Sequence, residues 1–447
     1  MRYLSITPEE KKRMLEVTGV DRVEELFDTI PKSVRLTSPL NIPQPASEIE
    51  VLKYFQGLAE KNVSTDRFDS FLGAGTYNHF IPTIIDSVIS RAEFYTCYTP
   101  YQPELSQGTL QAIFEFQTLI CQLTDMEVAN ASLYDGSSAL AEAVLMAVRL
   151  TKRSRLVVPE SLHPNYRKVM ETYVANLDVQ LSDLHLMDAG RVDLDHLEKT
   201  LKDDCAAVVV QSPNFFGVIE EIREVTRLCR RAGALSIVVV TEAISMGLLK
   251  PPGELDADIV VGEGQSFGIP VGFGGPNLGF FATRDRYKRQ MPGRVVGQTV
   301  DSQGQRGFVL TLATREQHIR REKATSNICT NQGLCALMCA VFLSTLGKQG
   351  IRELAEQNLK KAFYLRKQLG DRLVFSGNTF NEMVVRCDRD PTEINRQLLT
   401  EGIVGGLPLG RYFPDRSDQM LLCVTEQNDP KKIQRLAEIL TRVEVAS

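Results

Sequence analysis

Between about residues 156 and 261 the chain alternates short β-branched runs with amphipathic stretches. The runs are Leu156-Val-Val, Val179-Gln-Leu, Ala206-Ala-Val-Val-Val, Leu235-Ser-Ile-Val-Val-Val and Asp258-Ile-Val-Val. Most are near-continuously apolar, as strands buried on both faces must be. Helical spacing fills the gaps, over about 163–175, 195–201 and 220–232. Strand and helix in turn predict a mostly parallel sheet covered on both sides, an α/β fold. Two helices precede it, Gln111 to Leu123 and a small-residue helix from Gly136 to about Leu150. Gly279-Phe-Phe-Ala reads as the return arm of a hairpin that begins with Asp258-Ile-Val-Val.

The pattern changes on either side of this block. Thr7-Pro-Glu-Glu is a helix start, with Thr as cap, Pro at the first helical position and acids in the first turn. Short amphipathic pieces and Pro31, Pro39, Pro43 and Pro45 follow, as in an arm laid over another surface. Met291 to Gly304 is rich in glycine and polar residues and reads as a long ordered loop. Beyond Asn331, helices are expected over 332–346 and 351–369, broken at Gly347 and Gly350. Val374-Phe, 382–386 and 420–425 read as strands, and 392–399 and 430–443 as helices. The chain thus divides into an N-terminal arm (1–65), a large α/β domain (66–325) and a small C-terminal α+β domain (326–447). No internal repeat or low-complexity tract interrupts it.

Composition narrows the function classes. A formal net charge of −5 argues against nucleic acid as a main partner, since phosphate binding needs a basic face. No apolar run approaches the roughly 20 residues of a membrane span. The first ten residues lack the apolar core of a signal peptide, so a cytoplasmic location is expected. Nine scattered cysteines without a Cys-x-x-Cys pair fit a reducing compartment. Cys335 and Cys339, four apart near Cys329, read as small buried hydrophobes rather than metal ligands, and no metal is expected.

Four stretches carry candidate chemistry. The loop from Gly262 to Pro276 holds Gly262, Gly264, Gly268, Gly272, Gly274 and Gly275, a density that permits close backbone approach. A strand, glycine-rich loop and return strand also carry the Schiff-base lysine of many pyridoxal-phosphate enzymes, where only an amine can form the imine. Here the loop has Gln265 and Ser266, and no lysine from Gly262 to Thr283. Tyr95, Tyr98 and Tyr101 lie on a segment stiffened by Pro100 and Pro103. They form either an aromatic small-ligand rim or a packed turn. Gly136, Ser137 and Ser138 open a helix, as an anion site or as ordinary capping with Glu142. Arg315, His318, Arg320, Arg321 and Lys323 face only Glu316 and Glu322, either as a solvated charge run or as carboxylate-binding and interface groups.

Four motifs resemble the glycine cleavage P-protein over nearly the whole chain. They are Tyr98-Thr-Pro-Tyr-Gln-Pro-Glu, Gln265-Ser-Phe-Gly-Ile-Pro, Pro292-Gly-Arg-Val-Val-Gly-Gln-Thr-Val-Asp and the long run Thr314-Arg-Glu-Gln-His-Ile-Arg-Arg-Glu-Lys-Ala-Thr-Ser-Asn-Ile-Cys329. The length resembles subunit 1 (alpha) of the split, two-chain form. The resemblance implies the pyridoxal-phosphate-dependent, aminotransferase-like fold type I, with a mixed, mostly parallel sheet in the large domain. It implies a homologous subunit 2 (beta) that carries the lysine and the pyridoxal phosphate, in an α2β2 heterotetramer. The expected activity is glycine decarboxylation with aminomethyl transfer to the lipoyl arm of H-protein. On this reading the chain has no catalytic residue of its own. Ser137, Ser138, His163 and Gln265 are degenerate cofactor positions, and Glu242 or Thr241 stands near the pyridine-nitrogen carboxylate. Tyr95, Tyr98, Tyr101, His79, Arg315, His318, Arg320 and Arg321 are the expected substrate or channel residues at the interface. The alternative is a self-sufficient pyridoxal-phosphate aminotransferase or decarboxylase using Lys250 or Lys323.

Overall fold

Alternate residues of the central strands face opposite ways, and each face has its own cover. A computed structural model describes residues 5–36 and 38–441, apart from the side chain of His318. Seven strands form one sheet: β1 (Val128–Ala129), β2 (Arg155–Pro159), β3 (Gln180–Leu184), β4 (Cys205–Gln211), β5 (Leu235–Val240), β6 (Ile259–Glu263) and β7 (Gly279–Thr283). Their order is β1-β7-β6-β5-β4-β2-β3. From β3 to β6 all pairings are parallel, while β7 pairs antiparallel with both β6 and β1. Val157, Val208, Val210, Val238, Val240 and Val260 face helices Gln107–Thr124, Ile222–Ala232 and the first half of Gly333–Leu369. Leu156, Val158, Val209, Ile237, Val239 and Val261 face helices Gly136–Thr151 and Pro164–Val174. A strand buried on both sides needs an apolar residue at every position, which is why these runs do not alternate.

A second, three-stranded antiparallel sheet follows: β10 (Glu382–Arg386), β11 (Leu407–Pro408) and β12 (Gln419–Cys423), ordered β10-β12-β11. One face, with Met383, Val385, Met420 and Leu422, packs on Ala362, Leu365, Leu398, Ile433 and Leu436. The other presents Val384 and Leu421 to Phe215, Phe216 and Phe375. The chain leaving β4 therefore lies against β10. Gly217 makes that approach possible: its φ is +83°, and a Cβ there would meet the Glu382 carbonyl oxygen at 2.2 Å.

Two local expectations change and one holds. Met291–Gly304 is not a plain loop: Val295–Val300 (β8) and Arg306–Thr311 (β9) form an antiparallel hairpin in which six residue pairs face each other. Val296 and Phe308 turn inward onto Leu110 and Ile113, an apolar face that the flanking glycines hide in the sequence. The break expected at Gly347 is present: with φ 60° and ψ −174° it is non-helical, and two helices meet there across a kink within the helical span Gly333–Leu369, which reaches both cores. That helix is long and apolar enough by length and composition to cross a membrane, and half of its apolar window is buried within the protein. At Val374-Phe only an isolated bridge forms, between Leu373 and Val385.

Residues 1–63 form a separate unit from residues 64–447. Its helices Pro8–Thr18 and Glu48–Ala59 each carry a capping box, Thr7 with Glu10 and Ser47 with Glu50. Neither helix buries a residue. Met14, Val17, Phe27, Ile49, Leu52, Tyr54 and Phe55 are exposed.

Candidate functional site

The glycine-rich loop presents Gln265 at the end of β6, and the side chain is fully engaged. Its amide nitrogen donates to the carbonyls of Tyr77 (3.1 Å) and Ile269 (2.7 Å). Its oxygen accepts from the Tyr77 amide at 2.9 Å. Beside it Glu263 is buried, and its carboxylate accepts from the amides of Leu278 (2.7 Å), Gln265 (3.1 Å) and Gly136 (3.0 Å). The Gly136 contact puts a carboxylate at the N-terminus of helix Gly136–Thr151, where free amides favour an anion. Burial pushes Glu263 up to about 7 despite these donors. The cap of the same helix is Asp135, which accepts from the Ser138 amide at 2.6 Å and from the Ser137 hydroxyl at 2.8 Å. Ser137 and Ser138 thus serve a capping box built on Asp135, with no part for Glu142 in it.

One segment, residues 73–80, packs against His163 and Glu242. The Ala74 carbonyl accepts from His163 Nε2 at 2.9 Å, while His163 Nδ1 accepts from the Asn165 amide, so the imidazole is neutral. Burial lowers its proton affinity in keeping with that assignment. The Tyr77 phenol donates to Glu382 at 2.9 Å, and the other Glu382 oxygen accepts from the Ala74 amide at 2.7 Å. Burial pushes Glu382 up to about 8. His79 lies inside the protein, with Nε2 3.0 Å from Glu242 and Nδ1 2.9 Å from Glu426. Glu242 also accepts from Asn381 (2.8 Å), Ser266 (3.1 Å) and the Ile244 amide (3.0 Å). Tyr77, Glu263, Asn381, Glu382 and Glu426 were not singled out in the sequence; the signal for two of them was the glycine-flanked run 73–80 and the acid closing β6.

The tyrosine loop stands elsewhere. Tyr95 and Tyr98 line a cavity of about 230 Å³ together with Cys97, Thr99, Thr330 and Asn331. Tyr101 does not line it; its phenol accepts from Arg294 at 2.9 Å. Arg315 is half-buried and spends its guanidinium on the backbone carbonyls of Met291, Gly293 (3.0 Å) and Leu312 (3.2 Å). Arg320 and Arg321 are exposed, Arg320 donating to the Thr314 carbonyl at 3.2 Å. The side chain of His318 lies outside the described residues. Cys335 and Cys339 are buried, whereas Cys97 and Cys329 are exposed. Among the described residues no cluster of His, Cys, Asp and Glu could hold a metal ion. Lys250 is exposed and paired with Glu254 at 3.0 Å, and Lys323 is exposed; neither lies in the glycine loop.

The His79 contacts yield a pH-dependent expectation. Burial alone would lower its proton affinity, but Glu242 and Glu426 outweigh burial and raise it to about 10. The folded state therefore binds more protons than the unfolded one from about 6.5 to about 10, and this stabilisation is lost as pH rises through that window. Replacing His79 by Gln should cost about 3–5 kcal/mol at pH 7, because two buried carboxylates lose their cation. Denaturant unfolding at several pH values checks this: the gap between wild type and His79→Gln should narrow from pH 7 to pH 10. A gap that stays constant would show that His79 is not charged in the folded chain.

Comparison with known proteins places this geometry. The family model of the glycine cleavage system P-protein matches residues 1–440. A relative from Solibacter usitatus (strain Ellin6076), named probable glycine dehydrogenase (decarboxylating) subunit 1, is 53% identical over 95% of this chain and 94% of its own length. One of the same name from Desulfitobacterium hafniense (strain DSM 10664 / DCB-2) is 50% identical over 98% of each chain. The crystal structure of a glycine decarboxylase (P-protein) of the glycine cleavage system, in inhibitor-bound form, superposes with a TM-score of 0.89 at 42% identity, over 98% of this chain and 99% of that one. A sphingosine-1-phosphate lyase from Burkholderia pseudomallei K96243, at TM-score 0.66 and 16% identity over 92% of this chain and 93% of that one, shares the fold alone. The fold is type I of the pyridoxal-phosphate-dependent enzymes, and the chain belongs to the glycine cleavage system P-protein family.

Proposed function

We propose that this chain is the lysine-less subunit of a two-chain glycine dehydrogenase (decarboxylating). It would act in the cytoplasm, in an α2β2 heterotetramer with a homologous, lysine-bearing subunit 2. Gln265 is the observation that carries this reading. An amide cannot form an imine, and both ends of this one are bonded to Tyr77 and Ile269. The surroundings do not fit pyridoxal phosphate either. A phosphate at the Gly136 helix would meet the carboxylate of Glu263, and residues 74–79 occupy the contacts of His163 and Glu242. When held by the partner, the cofactor supplies the electron sink for decarboxylation. The aminomethyl group then passes to the lipoyl arm of H-protein.

This chain's contribution is the wall and the approach. Tyr95 and Tyr98 stand exposed on a Pro-braced loop around a small cavity, with Thr330 and Asn331 opposite. Held phenols can donate to a glycine carboxylate without a full charge that would stabilise it against loss of carbon dioxide. Arg315 braces the segment that leads to Thr330, and Arg320, Arg321 and His318 are assigned to the interface with the partner. The exposed apolar residues of the arm suit the same purpose: two capped helices that bury nothing of their own call for a surface to cover.

Three measurements bear on this. The isolated chain should show no cofactor absorbance that borohydride reduction fixes to a lysine. A reducible band with labelled Lys250 or Lys323 would support the self-sufficient alternative instead. In the reconstituted complex, Tyr95→Phe or Tyr98→Phe should lower glycine turnover roughly tenfold, the loss of one transition-state hydrogen bond. Unchanged kinetics in both would take these residues out of the site. Leu52→Glu combined with Phe55→Glu should weaken association with subunit 2 by about thirtyfold or more, as expected for an apolar anchor. Equal affinity in sedimentation would leave the arm without that role.

A further inference from the structure

Behind the tyrosine-lined cavity lies a cation with no counter-ion among the described residues. Arg294 follows the left-handed Gly293 (φ +76°) at the entrance to β8 and is 5% exposed. One terminal nitrogen donates to two acceptors, the Tyr101 phenol at 2.9 Å and the Cys329 carbonyl at 2.6 Å. The guanidinium also lies over the Tyr101 ring, 5.3 Å from its centroid. Its own carbonyl accepts from Ala131 at 2.8 Å, and the Ala131 carbonyl accepts from Asn331 at 3.0 Å. Arg294 therefore ties together the two walls of the cavity, one containing Tyr98 to Pro100 and the other Thr330 and Asn331.

The rest of the guanidinium is unpaired. Nε and the second terminal nitrogen are buried without a hydrogen-bond partner, and among the described residues Arg294 makes no salt bridge. Arg153 and Arg315, also partly buried, direct their terminal nitrogens at several backbone carbonyls. A tie between a phenol and a carbonyl needs only a neutral donor. Burying a full charge for it is costly unless an anion offsets that charge during function. The adjoining cavity has room for a small ligand and two phenols to orient it.

We propose that Arg294 is a positioning residue that sets the shape of the tyrosine-lined cavity and makes it selective for a small carboxylate. The inference rests on the reading that this cavity borders the route to the partner's cofactor, and it assigns the carboxylate selectivity to a residue behind the wall. Glycine is the carboxylate expected in turnover, and acetate is the probe.

The test uses the complex with subunit 2. In Arg294→Gln, KM for glycine and the inhibition constant of acetate should both rise about tenfold while kcat changes less than about threefold. Arg294→Lys keeps the charge and one donor, and should recover both constants to within about threefold of wild type. Thermal unfolding of each variant shows whether the fold persists. Loss of kcat with KM and acetate inhibition unchanged would overturn the proposal and leave a purely structural tie. Equal defects in the Gln and Lys variants would overturn the role of charge. Weaker association with subunit 2 without a change in acetate inhibition would also overturn it, identifying a carboxylate of the partner as the counter-ion. Silent Tyr95→Phe and Tyr98→Phe variants beside an effective Arg294→Gln would refute the tyrosine reading alone.

Discussion

A protonated imidazole held between two buried carboxylates joins the halves of this molecule. Glu242 follows β5 of the large sheet, and Glu426 lies just beyond β12 of the small one; His79 touches both. An imidazole with both nitrogens donating can satisfy two carboxylates at once, which neither a lysine nor a neutral amide can do with the same planarity. Once His79 is fixed, Tyr77 is brought to Gln265 and Glu382, and Ala74 to His163. Residues 73–80 thereby thread across Gln265, His163 and Glu242. The arrangement is costly to take apart in pieces, because removing any one member strands a buried polar partner.

On the proposed reading of a lysine-less subunit, that dependence explains how a site can lose its chemistry and keep its architecture. The strand, glycine loop and return strand are retained, and so are the helix opening at Gly136 and the acid after β5. What differs is the destination of each polar group. On the proposed reading, the helix amide that would meet a phosphate meets Glu263, and the acid that would meet a pyridine nitrogen meets His79. Fold and function separate here residue by residue.

The sheet was legible because strands covered on two sides must be largely apolar throughout, and four such runs stand out between Leu156 and Val261, while the edge strand at Gln180–Leu184 is less buried and less apolar. The missing lysine was legible because the loop around Gln265 is short and its glycines are dense. The β8–β9 hairpin was hidden by Gly297, Gly304 and Gly307 and by polar residues facing outward, with only Val295, Val296 and Phe308 buried. Tyr77, Glu382 and Arg294 could not be found by spacing at all. Glu382 is 305 residues from Tyr77, and Arg294 is 193 from Tyr101, so their meaning exists only once the chain is folded. His79 was singled out as a channel residue, and nothing in the sequence pairs it with Glu242 or Glu426.

The central claim is that chemistry needs a second chain that supplies the lysine. Its most direct test is glycine–bicarbonate exchange, with lipoylated H-protein present, measured on this chain alone, on a lysine-bearing subunit 2 alone, and on the two mixed. The account predicts exchange in the mixture that rises to a plateau as this chain is titrated in, and none from this chain by itself. Exchange by this chain alone, or full activity of subunit 2 without it, would contradict the account.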